Sequence, residues 1–401
     1  MADNPEVLVV LCIDTEGPYT DPKYRNPSQL IGNWSEIEDK FLNKVFSKDY
    51  RHAYPDSYNQ PLSLTWFILN WSGYRIYPVK HEVGYHKIYD YYRKKWHEKM
   101  QIFNDEIGWH YHQPPLSGTG NEWGNDYLQN REFEEILCRM LVERNYFPSV
   151  FRAGGTIEND DFSHWLEQWI PYDFSNRNSN DFDWNYKEAD GRTIGSLTRW
   201  KYTKLSWKPY HPSWNDYSQT GEMKRFIARS LDVKSGPHTL SENEVYTAFK
   251  EAKKTKAKVI FSIFEHDFRD RSSEILQVLK WISQASNKTK IKFRYCGATK
   301  AMFLIRNLRN TAKLTLTLKY DKKDRKLRIK SNNDLFGNQP FLAIKYSKNV
   351  FKWRSLFKIG KNLWEYSLLP EEASKTIGIG ANDKFGNTTS IKFNSGNVSN
   401  G

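Results

Sequence analysis

The chain has 401 residues, 38% of them hydrophobic, which suits one large domain plus a small one. Its three cysteines, Cys12, Cys138 and Cys296, are odd in number and far apart, which argues against a disulfide framework and a thiolate zinc site. The net charge of +13 is uneven: residues 311–401 hold 14 Lys and 3 Arg against 3 Glu and 4 Asp, so +10 of it lies there.

A basic balance suits nucleic acid, an anionic membrane, an acidic glycan or only a soluble surface. No nucleic-acid-binding signature accompanies the charge, so nucleic acid is not an expected partner. The N-terminus lacks a basic leader, and no apolar stretch is long enough to span a bilayer. A cytoplasmic protein without a membrane span is expected. The many Trp (15) and Tyr (24) suit sugar rings where they are not simply packing.

Val7–Ile13 is a continuous apolar run, the pattern of a strand buried on both faces of a parallel sheet. It stops at Asp14-Thr15-Glu16-Gly17-Pro18, and chemistry in such folds sits at the carboxyl ends of strands. Residues 35–46 are expected to form a helix with Ser35 as cap. Residues 62–69 form a second strand ending at Asn70, and residues 85–100 a helix. Glu106–His112 is the third strand. Strand alternation points His110 and His112 one way, as half of a metal site, and Trp109 and Tyr111 the other.

An amphipathic helix over 133–144 leads to a short strand ending at Arg152-Ala153-Gly154-Gly155, where small residues let backbone approach closely. A helix is expected over 160–169 and strands over 173–175 and 194–199. The aromatic, prolyl stretch 207–214 is either a cleft lining or a packed loop; with Trp123 it could stack on sugar faces. After a helix over 242–254, the strand 258–264 ends at Glu265-His266-Asp267, where His266 is a candidate acid or base oriented by Asp267 or Asp270. A helix (272–282), a strand at Ile291, Phe293 and Tyr295, and a helix (299–307) close the first domain, residues 1–310. Period-two alternation then predicts a small β-sandwich over 311–394, its last hairpin resembling those of immunoglobulin-like accessory domains, and a disordered tail over 395–401.

With these motifs in order at strand ends, residues 1–310 resemble the polysaccharide deacetylases of the NodB-homology superfamily, carbohydrate esterase family four. The matching pieces are Asp14–Pro18, Glu106–His112, Arg152–Gly155 and His266. The acids here are separated by one residue rather than adjacent, and the histidines by one rather than three. The resemblance implies a distorted (β/α)7 barrel and a metal-dependent hydrolase that removes acetyl from an N-acetylated sugar. It implies a divalent metal on Glu16, His110 and His112, zinc first by its ligands, although the same set also suits cobalt, nickel, manganese or iron. Asp14 would be the base, Arg152 its partner, and His266 the acid, with Asp267 beside it. Asn70, Trp109, Tyr210 and Trp214 are candidate sugar-binding residues. Some divergent relatives are metal-free cyclic amidases, and a glycan-binding protein without catalysis is the other alternative. A free, lipid-linked or nucleotide-linked carbohydrate is the expected substrate.

Overall fold

In the computed structural model, which describes residues 4–18, 32–75, 83–116, 124–187, 191–308 and 312–394, the first apolar run is the centre of strand β1 (Glu6–Thr15), buried along its whole length. Seven more parallel strands follow: β2 (Leu64–Leu69), β3 (Glu106–Tyr111), β4 (Val150–Ala153), β5 (Tyr172–Asn176), β6 (Phe226–Asp232), β7 (Val259–His266) and β8 (Lys292–Tyr295). The order β2-β3-β4-β5-β6-β7-β1 closes on itself through β1 and β2. The result is the distorted seven-stranded α/β barrel that the resemblance implies.

Closure depends on a division of β1. Its first half, Glu6–Val9, pairs with β8, and its second half, Leu11–Thr15, pairs with β2. Side-chain parity then sorts the core. Leu8, Val10 and Cys12 meet Phe67, Val150, Phe174, Ala228, Ile260 and Phe264 inside the barrel. Val7, Val9, Leu11 and Ile13 face the helix layer.

Three local expectations are corrected. Residues 194–199 are not a strand: Ile194–Leu197 is a single helical turn. Strand β6 was not anticipated, because Arg229, Ser230 and Asp232 interrupt its apolar pattern, although all three are buried. The first helix starts at Trp34, capped by Asn33 rather than Ser35, and passes through a π-turn at Glu38–Leu42.

Beyond Leu316 the chain forms two antiparallel four-stranded sheets, as the period-two pattern predicts. One contains β9 (Leu316–Asp321), β10 (Lys326–Ser331), β13 (Phe357–Gly360) and β14 (Leu363–Ser367), in the order β13-β14-β10-β9. The other contains β11 (Phe341–Ser347), β12 (Val350–Arg354), β15 (Thr376–Asn382) and β16 (Thr388–Asn394), in the order β12-β11-β15-β16. Leu327, Ile329 and Trp364 of the first sheet pack on Leu342, Ile344, Ile377 and Ile379 of the second. The second sheet turns its other face to the barrel helix Glu132–Arg144. Gly378 and Gly380 allow that approach, since a Cβ would stand 2.9 Å from Leu141 at the first and 2.6 Å from Phe147 at the second. Lys345 of β11 pairs with Glu143 at 2.8 Å across the same junction. Among the described residues no helix is long and apolar enough to cross a membrane. The tail 395–401 and Trp123 lie outside the described residues.

Candidate metal centre and active site

Inward parity brings Asp14, His110, Arg152 and His266 to the carboxyl ends of β1, β3, β4 and β7. Asp14 is the register partner of His266, and His110 that of Arg152. All but His266 are buried, and its side chain is 15% exposed, the opening of the site toward solvent.

His110 donates through Nδ1 to the carbonyl of Arg152 at 2.9 Å, which leaves its Nε2 a lone pair. Nε2 of His112 lies 3.0 Å from it and 3.1 Å from Glu16 Oε1, and His110 Nε2 lies 3.5 Å from the same oxygen. These three atoms form the one group of potential ligands found among the described residues. A tetrahedral cation with ligands at about 2.0–2.1 Å holds them roughly 3.3–3.4 Å apart, so the triangle has the size of one face of such a site. The donor chemistry agrees, because two imidazole nitrogens and a carboxylate crowd together where a positive charge relieves them. Burial pulls the His110 pKa down, but Asp14 and Glu16 outweigh it and leave it raised.

Gly154 completes the pocket. A Cβ there would lie 2.1 Å from the His112 ring, so the motif glycine is the floor on which that ring rests. Asp14 is held by Arg152 Nε at 2.8 and 2.9 Å to its two oxygens, and Arg152 donates again to the Phe174 carbonyl. The guanidinium stacks on Phe264 at 3.5 Å. His266 Nε2 stands 3.9 Å from Asp14 Oδ2 and 3.6 Å from Glu16 Oε1, just beyond direct hydrogen-bond distance of both. Burial, with Arg269 behind it, holds the His266 pKa well below its ordinary value.

Asp267 does not orient His266. Its carboxylate accepts from the backbone N–H groups of Glu16 and Gly17 and from Tyr92 Oη, so it holds the loop carrying Glu16. Burial pushes it up to about 7. Asp270 pairs with Lys44 instead. The acid beside His266 Nδ1 is Glu265 at 3.4 Å, itself raised to about 7 by burial.

The proposed sugar contacts are not gathered at the site. Trp109 has the wrong parity and is buried among Tyr111, Phe151 and Trp165 of the helix layer. Asn70 is committed to His86 Nδ1 at 3.1 Å and to the Ile68 carbonyl. Tyr210 bridges Ile227 at the amino end of β6, the opposite end of the barrel, and its hydroxyl donates to Tyr217. Trp214 lies against His164 on the flanking helix.

No family model matches the chain, and no curated protein matches it. Among solved structures it is similar to a double mutant of the endo-β-1,4-mannanase of Cellulomonas fimi, at 8% identity over 96% of this chain and 93% of that one, with a TM-score of 0.31. An overlap that loose has no bearing on the chemistry of this site.

Proposed function

We propose that the protein is a hydrolase that removes acetyl from an N-acetylated sugar, the activity its resemblance to the NodB-homology deacetylases implies. The observation that carries this reading is the convergence of His110 Nε2, His112 Nε2 and Glu16 Oε1 beside a carboxylate held by a buried arginine. A divalent cation on those three ligands, zinc by their chemistry, would supply Lewis acidity toward water and the amide carbonyl. Asp14 takes the proton of the attacking water while Arg152 fixes its orientation. His266 starts neutral, and its Nε2 faces Asp14 Oδ2, where it collects that proton and delivers it to the leaving nitrogen. Water is consumed, and acetate and the free amine are released.

The test is acetate release from N-acetylated hexosamine oligomers by zinc-supplemented protein. The native chain releases acetate; Asp14→Asn and His110→Ala do not. Activity retained by both variants removes the mechanism. A second reading, a metal-free amidase or a glycan-binding barrel, draws on the 3.0 Å contact between the two Nε2 atoms, which a shared proton also satisfies. Bound metal below about a tenth of an equivalent, with no thermal protection by zinc, favours it.

A further inference from the structure

The first sheet of the sandwich has one face in the core and one face away from it. On strand β10, Leu327 and Ile329 are buried while Lys326, Arg328 and Lys330 point outward. The register extends this face across all four strands. Arg328 stands opposite Lys319 of β9 and Glu365 of β14, and Glu365 stands opposite Phe357 of β13. One row across the sheet therefore runs Phe357, Glu365, Arg328, Lys319.

Four cations on this face meet one central acid. Glu365 accepts from Lys326 at 2.9 Å and Arg328 at 3.0 Å. Asp321, at the margin, is turned onto the backbone N–H groups of its own turn. Among the described residues no acid pairs with Lys319 or Lys330. Arg328 is answered by Glu365, but Lys319 directly opposite it and Lys330 are left as cations that an external anion could approach. Beside the cations, the edge strand β13 exposes Phe357 (75%) and Ile359 (42%). It is short and carries Lys358 and a register shift, devices that discourage pairing with another strand. A soluble polyanion would match the charges and leave the aliphatic Ile359 unused. A bilayer with acidic headgroups matches both features.

We infer that this sheet docks on an anionic membrane surface, with Lys319, Lys326, Arg328 and Lys330 at the headgroups and Phe357 and Ile359 entering the acyl boundary.

The experiment is co-sedimentation of the full chain with phosphatidylcholine vesicles, with and without one-third phosphatidylglycerol. Binding is expected to the anionic vesicles only and to weaken with salt. Lys319→Gln with Lys330→Gln should lower it roughly tenfold. Phe357→Ser with Ile359→Ser should also lower it severalfold while leaving the melting temperature and retention on heparin unchanged. The inference is overturned by no binding to anionic vesicles, by equal binding to neutral ones, or by loss of the apolar pair without effect. The last outcome would mark a site for soluble polyanions such as acidic glycan or RNA.

Discussion

The ring of His112 occupies the space that a side chain on residue 154 would need. A Cβ on Gly154 would meet the ring at Cδ2, Cγ and Nε2 at distances of 2.1, 2.4 and 2.7 Å. Gly154→Ala should therefore push His112 out of the ligand triangle. Zinc affinity, measured by titration against a chromophoric competitor, should fall about tenfold or more. Unaltered affinity would show that His112 is not a ligand.

Arg152 and Asp14 form a buried ion pair, and removing one partner strands the other. Arg152→Met should cost about 3–5 kcal/mol in denaturant unfolding. Adding Asp14→Asn to it should recover part of that loss without any return of acetate release. A double variant no more stable than the single one would show that the pair is not what Arg152 contributes.

Asp267 and Glu265 make separable predictions. Asp267→Ala leaves the N–H groups of Glu16 and Gly17 and the Tyr92 hydroxyl without their acceptor, for a loss of about 1–3 kcal/mol and weaker zinc binding. Glu265→Gln should leave zinc binding intact and lower kcat, since its oxygen faces His266 Nδ1 and not the ligand triangle. Equal effects of the two on zinc affinity would contradict this division.

Acid should loosen the junction between barrel and sandwich. Burial alone would raise the Glu143 carboxyl, but hydrogen bonds from His86 and Lys345 bring it from 4.5 down to about 2. A depressed carboxylate contributes its full stabilisation above its unfolded value and loses it as pH falls from there through the folded one. Native protein should thus lose melting temperature as pH falls from 4.5 to about 2. Lys345→Met should be less stable at pH 6 and show a smaller further loss. Parallel curves for the two proteins would show that Lys345 does not set the carboxyl.

The parallel α/β sheet was legible in the chain because its central strands are continuous apolar runs, its closure into a barrel came only from the resemblance, and parity sends Asp14, His110, Arg152 and His266 inward together. Strand β6 was illegible because its polar residues are satisfied by distant partners: Asp232 by Arg177 and Ser230 by Ser262. The exchange of Asp267 for Glu265 has a similar origin. Three successive residues, Glu265, His266 and Asp267, diverge at the strand end, where the Asp267 N–H bonds to the Asp14 carbonyl and carries its carboxylate to the neighbouring loop. Tyr210 and Trp214 were misplaced because the segment between β5 and β6 returns to the far end of the barrel, which composition does not reveal.

The candidate ligand Glu16 owes its backbone position to Asp267, 251 residues further along the chain. Asp14 and Glu16 lie at the end of the first barrel strand, yet strand β7 and the loop that anchors them come much later in the chain. A segment that stops short of β7 lacks the carboxylate that holds the Glu16 loop in place. Closing the ring and bringing the Glu16 carboxylate to the two histidines are therefore a single event, set by one contact of very long range.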